Sequence, residues 1–228
     1  ADDIVYGYDS TDEANYGIGR LTTIIEASTT LSYYYDASGQ LKVTLQTIDT
    51  MMYRTAYEYD DAGRLNQIEY PSGIKVVYHR NAIGNIDQVS VIETTGVQLS
   101  LLNNITTLPF GPISGWESYD QTTTARNYNQ DYRLDTLTIT NGGTDLLDRT
   151  HAYTDHGLMD DYSDSVGSKS FIYAYDNLDR LDTATVPKGN FDYNYDLNGN
   201  RTQKIANSVT TTYAHETSNN KLDSFTQG

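Results

Sequence analysis

A nine-residue pattern recurs along the chain, and its period of roughly 20 to 25 residues leaves few folds open. The clearest copy is Tyr57-Glu58-Tyr59-Asp60-Asp61-Ala62-Gly63-Arg64-Leu65. Upstream stands Tyr33-Tyr34-Tyr35-Asp36-Ala37-Ser38-Gly39-Gln40-Leu41, and downstream Tyr78-His79-Arg80-Asn81-Ala82-Ile83-Gly84-Asn85-Ile86. Further copies begin at Tyr128, Tyr153, Tyr173 (with Tyr175, Asp176, Asp179, Arg180 and Leu181) and Tyr193 (with Tyr195, Asp196 and Gly199). Longer variants open at Tyr6 and at Tyr213, which makes nine copies. Units this short cannot each bury a core, so they must stack on their neighbours.

Each copy reads as a β-hairpin. Tyr57 and Tyr59 lie two apart and share one strand face, and aromatic residues favour strands. Asp60 then opens a turn by bonding the backbone ahead of it, and Gly63 supplies a positive φ. Asp179 tolerates that conformation in its copy; Tyr132 does so poorly, which predicts a different turn there, and Asn219 is the expected left-handed residue of the last copy. After the turn come Leu65-x-x-Ile68-x-Tyr70 and Leu181-x-x-Ala184-x-Val186. The first apolar residue would face the wrong side unless a one-residue bulge stands beside each turn. Pro71-Ser72-Gly73 and Pro187-Lys188-Gly189 form second turns. The fold class is therefore all-β, a meandering array of antiparallel hairpins. It divides into copies 1 to 4 over residues 1–93, an interrupting loop over 94–125, and copies 5 to 9 over 126–228, all one continuous array. The interrupting segment holds Phe110 and the single Trp, Trp116. It is expected either to cross the sheet and plug a gap with these rings, or to present them as a binding loop.

Composition narrows the function. The 21 Tyr against 4 Phe and 1 Trp argue for a thin or wet packing layer rather than a thick aliphatic core. A net charge of −16 is the wrong sign for binding nucleic acid or an anionic membrane surface. No stretch approaches the roughly 18 apolar residues that a spanning helix needs. The absence of Cys excludes disulfides, Cys-ligated metal and a Cys nucleophile. Asp9, Asp36, Asp60, Asp176 and Asp196 share one repeat position, so a turn role explains them all without catalysis. His79, His151, His156 and His215 lack metal-ligand spacing. Asp196-Leu197-Asn198-Gly199-Asn200 resembles the start of a calcium loop but lacks its closing Glu, and it also spells an Asn-Gly hairpin turn. No catalytic residue, metal site or cofactor is assigned. The tyrosines support two readings: cross-strand ladders that hold the sheet, or a sugar-stacking surface of Tyr57, Tyr59, Tyr173, Tyr175, Tyr193, Tyr195 and Trp116.

The Tyr-x-Tyr-Asp-x-x-Gly-Arg-Leu unit resembles the YD repeat of the Rhs proteins, the Tc insecticidal toxin components and the teneurins, and the resemblance covers nearly the whole chain. It implies a sheet that curves and spirals as part of a hollow shell, which encloses or presents a toxin or effector domain or, in teneurins, supports adhesion. The implied structural positions are Tyr35, Asp36, Gly39, Tyr57, Tyr59, Asp60, Gly63, Arg64, Leu65, Tyr175, Asp176, Arg180, Tyr195, Asp196 and Gly199. Implied partners are a cargo domain or adjoining shell domains, with glycans under the adhesion reading, and the implied setting is a secreted or cell-surface bacterial protein. The family's autoproteolytic Asp-Pro signature has no counterpart, so self-cleavage is not carried over and the chain reads as an isolated stretch of array. Open sheet edges would then favour self-association, opposed by the negative charge.

Overall fold

The computed structural model describes residues 3–12 and 15–228, and the chain falls into two compact units. Glu13 and Ala14, within the insertion of the first copy, and Ala1 and Asp2, within the first block of repeats, lie outside the described residues. Twenty strands and no helix occur among the described residues. Unit 1 comprises Ala1–Thr106 and Trp116–Asp120. It holds β1 (Val5–Tyr8), β2 (Leu21–Glu26), β3 (Thr29–Tyr35), β4 (Leu41–Ile48), β5 (Met51–Tyr59), β6 (Leu65–Glu69), β7 (Lys75–Arg80), β8 (Ile86–Ile92), nearly all of β9 (Gln98–Thr107) and the second half of β10 (Ile113–Ser118). Unit 2 comprises Thr107–Gly115 and Gln121–Gly228. It holds the first half of β10 and then β11 (Thr122–Tyr128), β12 (Leu134–Asn141), β13 (Thr144–Tyr153), β14 (Met159–Asp164), β15 (Lys169–Tyr175), β16 (Leu181–Val186), β17 (Gly189–Tyr195), β18 (Arg201–Ala206), β19 (Val209–His215) and β20 (Leu222–Gln227).

Within each unit successive strands pair antiparallel, β1 with β2 through β8 with β9 in the first, and β11 with β12 through β19 with β20 in the second. Alternation of side chains explains the burial: along β17, Phe191, Tyr193 and Tyr195 are half-buried while Asn190, Asp192 and Asn194 between them are exposed. The bulge that the spacing demands is present. Tyr34 faces Val43 while Tyr35 faces Leu41, leaving Lys42 over, and the same shift stands at Glu58/Tyr59, Ala174/Tyr175 and Asn194/Tyr195.

No thick core exists among the described residues. The only buried hydrophobic residues among those described are Ala184, 5% exposed, and Ile105, 9% exposed. Order must therefore come from ladder hydrogen bonds and from side-chain contacts that recur between neighbouring repeats.

Three expectations need correction. Residues 94–125 are not a loop crossing the sheet: β9, β10 and the start of β11 occupy most of them. The β-branched Ile105, Thr106 and Thr107 of β9 and the threonines that open β11 favour strand there. Tyr132 does adopt a positive φ, 59°, and makes the same turn as its counterparts, because its hydroxyl donates to the Pro109 carbonyl at 3.0 Å and anchors the ring. In the last copy the left-handed residue is Asn220, not Asn219, since that turn is one residue longer and closes from Glu216 to Lys221.

Candidate functional site

The repeat turns stand along one end of the strands in each unit, and their chemistry is nearly identical from copy to copy. In the Asp60 turn the Asp60 N–H donates to the Arg64 carbonyl at 2.9 Å and the Gly63 N–H to the Asp60 carbonyl at 2.8 Å. Asp60 Oδ1 accepts from the N–H groups of Ala62 and Arg64, at 3.0 and 2.9 Å. Asp36, Asp176 and Asp196 each accept the equivalent pair. Gly39, Gly63 and Gly199 take φ of 82°, 76° and 87°, the left-handed conformation these turns require. Asn198-Gly199 is therefore not a two-residue hairpin turn: only Gly199 is left-handed, and the loop closes from Asp196 to Asn200.

The second carboxylate oxygen holds the next motif residue. Asp60 Oδ2 takes Arg64 Nε and Nη2, both at 2.8 Å, and Asp176 Oδ2 takes Arg180 Nε at 2.7 Å and Nη2 at 2.6 Å. Asp196 Oδ2 takes Asn200 Nδ2 at 2.8 Å, so both oxygens of the calcium-loop candidate already have protein donors. The Arg64, Arg180 and Asn200 side chains hold Asp60, Asp176 and Asp196 respectively below the usual carboxylate range. The motif residue at this place also reaches forward to the next copy. Gln40 Nε2 donates to the Gly63 carbonyl at 2.6 Å, and Arg180 Nη1 to the Asp196 carbonyl at 3.1 Å while its guanidinium lies 4.7 Å from the Tyr195 ring centre.

A second contact between copies was invisible in the sequence. The second Tyr of a motif sends its hydroxyl to the backbone of the preceding copy, onto the carbonyl of the residue just before the bulge. Tyr35 donates to Leu21 at 2.7 Å, Tyr59 to Leu41 at 2.8 Å, Tyr153 to Leu134 at 2.8 Å, Tyr175 to Met159 at 2.8 Å and Tyr195 to Leu181 at 2.9 Å. Where the copy has Arg80 instead, Arg80 Nη2 donates to the Leu65 carbonyl at 3.0 Å. Burial pushes the hydroxyls of Tyr59, Tyr175 and Tyr195 up from their ordinary value, so they stay protonated donors at neutral pH.

The staple also exposes a tenth repeat turn that the pattern misses. Leu108 N–H donates to the Pro112 carbonyl and Gly111 N–H to the Leu108 carbonyl, the bonds of the Asp60 turn, and Tyr128 donates to the Ile113 carbonyl at 2.9 Å. The left-handed residue is Phe110, fully exposed at the tip, while Trp116 is half-buried on β10. Phe110 and Trp116 thus form neither a plug nor an exposed pair.

Of the rings considered for sugar stacking, Tyr59, Tyr175 and Tyr195 have donated their hydroxyl protons to the staple. Tyr57, Tyr173 and Tyr193 are half-buried and face Ile68, Ala184 and Lys204 across the ladder. Two of the histidines serve local contacts: His79 Nε2 lies 2.6 Å from Ser90 Oγ, a hydroxyl on a residue only 1% exposed, and His156 Nδ1 lies 2.6 Å from Asp179 Oδ1 in the next copy. Among the described residues no three His, Asp or Glu side chains are grouped to hold a metal ion.

The ionisable contacts set a pH dependence. Asp60, Asp176 and Asp196 have folded values below their unfolded ones, so their contribution is present above about pH 4 and is lost as pH falls through the folded values. His156 is raised by its bond to Asp179, so its contribution is complete below about pH 6.5 and fades as pH rises through the folded value. Urea midpoints measured across pH should therefore fall on both sides, with Asp176→Asn flattening the acid limb and Asp179→Asn the neutral one. An unchanged acid limb in Asp176→Asn would contradict the turn electrostatics.

No family model and no curated protein sequence matches the chain. Solved structures do. The crystal structure of TcdB2-TccC3-Cdc42 matches with a TM-score of 0.81 at 14% identity, over 96% of this chain and 14% of that one. TcdB2-TccC3 alone matches with a TM-score of 0.81, and the Tc holotoxin pore of Photorhabdus luminescens with 0.80, both at 14% identity and over 96% of this chain. The chain spans only about one seventh of their length. At this identity the likeness shows the fold: the chain is built as a stretch of these Tc toxin structures.

Proposed function

We propose that the chain is a non-catalytic scaffold, a wall segment of an Rhs-like shell that encloses or presents a toxin or effector domain. The observation that carries this reading is the fold match to Tc toxin assemblies over 96% of the chain. The site chemistry supports it. The carboxylates of Asp36, Asp60, Asp176 and Asp196 accept backbone N–H groups of their own turns, the last three also an Arg or Asn side chain, and the staple hydroxyls are donated to neighbouring repeats. Tyr35, Asp36, Gly39, Tyr59, Asp60, Gly63, Arg64, Leu65, Tyr175, Asp176, Arg180, Tyr195, Asp196 and Gly199 are then wall-building residues. The repeats of 1–93 and 126–228, with 94–125 between them, serve as one functional array, in a protein exported by a bacterium. Its partners are the cargo and the adjoining parts of the shell.

Limited proteolysis of the full reading frame that contains these residues tests this. A cargo inside a closed wall resists protease until the repeats unfold, and it becomes cleavable at the same denaturant concentration at which the staple strands lose amide protection. Cleavage of every flanking domain under native conditions would refute enclosure.

A further inference from the structure

The residue that closes a repeat turn is an arginine in several copies, and its guanidinium settles in one place. Arg20, Arg133 and Arg180 each lie over the second Tyr ring of the next copy, 5.5 Å from the Tyr35 ring centre, 4.9 Å from Tyr153 and 4.7 Å from Tyr195. Arg180 also donates from Nη1 to the Asp196 carbonyl of the next turn at 3.1 Å. The turn that precedes Tyr175 has Leu158 at this position instead. That turn is otherwise made like the rest. Thr154 N–H donates to the Leu158 carbonyl at 2.8 Å, Gly157 N–H donates to the Thr154 carbonyl at 2.9 Å, and the Thr154 hydroxyl accepts the Leu158 N–H at 3.2 Å.

Leucine is shorter than arginine, and between this turn and the next lies an open cleft of about 450 Å³ that Leu158, Tyr175 and Asp176 help to line. Its walls also carry Asp155, Asp160 and Asp179. Asp176 is committed to Arg180, and Asp179 to His156. Asp155 and Asp160 are exposed and form no ion pair among the described residues. Asp160 stands close enough for its charge to add to burial and the neighbouring Tyr173 in pushing the Tyr175 hydroxyl up.

We propose that this cleft binds a guanidinium group from outside the chain, seated over the Tyr175 ring and donating to the Asp176 carbonyl, as Arg180 does at Tyr195 and Asp196 one copy later. Carboxylates alone would accept any cation. The ring face and the carbonyl select among them, because a planar guanidinium stacks on an aromatic ring while its fork still reaches an acceptor, and a compact, strongly hydrated ammonium does this less well. Asp155 and Asp160 add attraction that salt screens, so binding is modest and weakens as salt rises. The site is independent of what the chain encloses.

Amide chemical shifts of this 228-residue chain, titrated at low salt, decide it. The probes are end-blocked Gly-Arg-Gly, its Lys and citrulline counterparts, and propylguanidinium. Gly-Arg-Gly should give saturable shifts centred on Leu158, Asp160, Tyr175 and Asn177, with the neutral citrulline peptide about tenfold weaker and the Lys peptide between them. Tighter binding of Gly-Arg-Gly than of propylguanidinium assigns the ligand to an arginine in a polypeptide; the reverse assigns a small guanidino compound, and both uphold the site. Leu158→Arg supplies the group from within and should weaken Gly-Arg-Gly binding about tenfold without lowering the urea midpoint. The exposed pair Asp155→Asn and Asp160→Asn should weaken it about two- to fivefold, and decides alone if Leu158→Arg folds poorly. Shifts that do not saturate or centre elsewhere, a citrulline peptide that binds as tightly, or a folded Leu158→Arg that binds like the wild type would each overturn the proposal; so would unchanged binding in the double Asp variant.

Discussion

Tyr175→Phe should lower unfolding stability by about 1–2 kcal/mol and Tyr175→Ala by about 3 kcal/mol, while Tyr8→Phe leaves it within about 0.5 kcal/mol. The three variants separate ring from hydroxyl and partnered from unpartnered positions. Tyr175 is half-buried and its hydroxyl bonds the Met159 carbonyl at 2.8 Å. Phe keeps the ring but leaves that carbonyl without its donor, which costs more than the bond's net worth because a half-buried acceptor loses its partner. Ala also removes the ring that fills the space between copies. Tyr8 has the same motif position and its hydroxyl meets no carbonyl among the described residues, so it should be dispensable to the folding of this 228-residue chain. Urea unfolding followed by tyrosine fluorescence measures all three. Equal losses for the Phe variants at 8 and 175 would mean the staple contributes nothing.

Gly199→Val should cost about 1–2 kcal/mol and Gly199→Asn well under half of that. At φ 87° with nothing within 4 Å of an added Cβ, position 199 tests backbone strain without a clash. Asn visits the left-handed region readily and Val does not. Gly84 is the harder case. Its φ is 92°, and a Cβ there would overlap the Arg64 guanidinium, which reaches over from the preceding copy. Gly84→Asn should therefore cost more than Gly199→Asn, by the displacement of Arg64. Equal costs for Val and Asn at 199 would contradict a left-handed turn.

The hairpins were legible because they are local. Asp60, Gly63 and the misplaced phase of Leu65 against Ile68 sit within nine residues and together demand a turn and a bulge, and both are present. The staple was not legible, since its partners lie in different copies: nothing near Tyr195 in sequence points to the Leu181 carbonyl. Arg80 hid it further by doing the same work with a different donor. The 108–112 turn escaped for another reason. Its hydrogen bonds are made by backbone, so Leu108, Pro109 and Phe110 can fill it without the Tyr-Asp signature, provided one residue accepts a positive φ. At Tyr132 the steric preference of one residue yields to a tertiary bond, its hydroxyl to the Pro109 carbonyl.

Electron cryo-microscopy of the full reading frame that contains these residues is the most direct measurement. A scaffold role requires residues 3–228 to appear as a stretch of continuous wall, with the tyrosine staples carried on into the flanking strands and a separate domain on its enclosed side. An open array that surrounds nothing, or flanking segments that leave β1 and β20 as free edges, would contradict it.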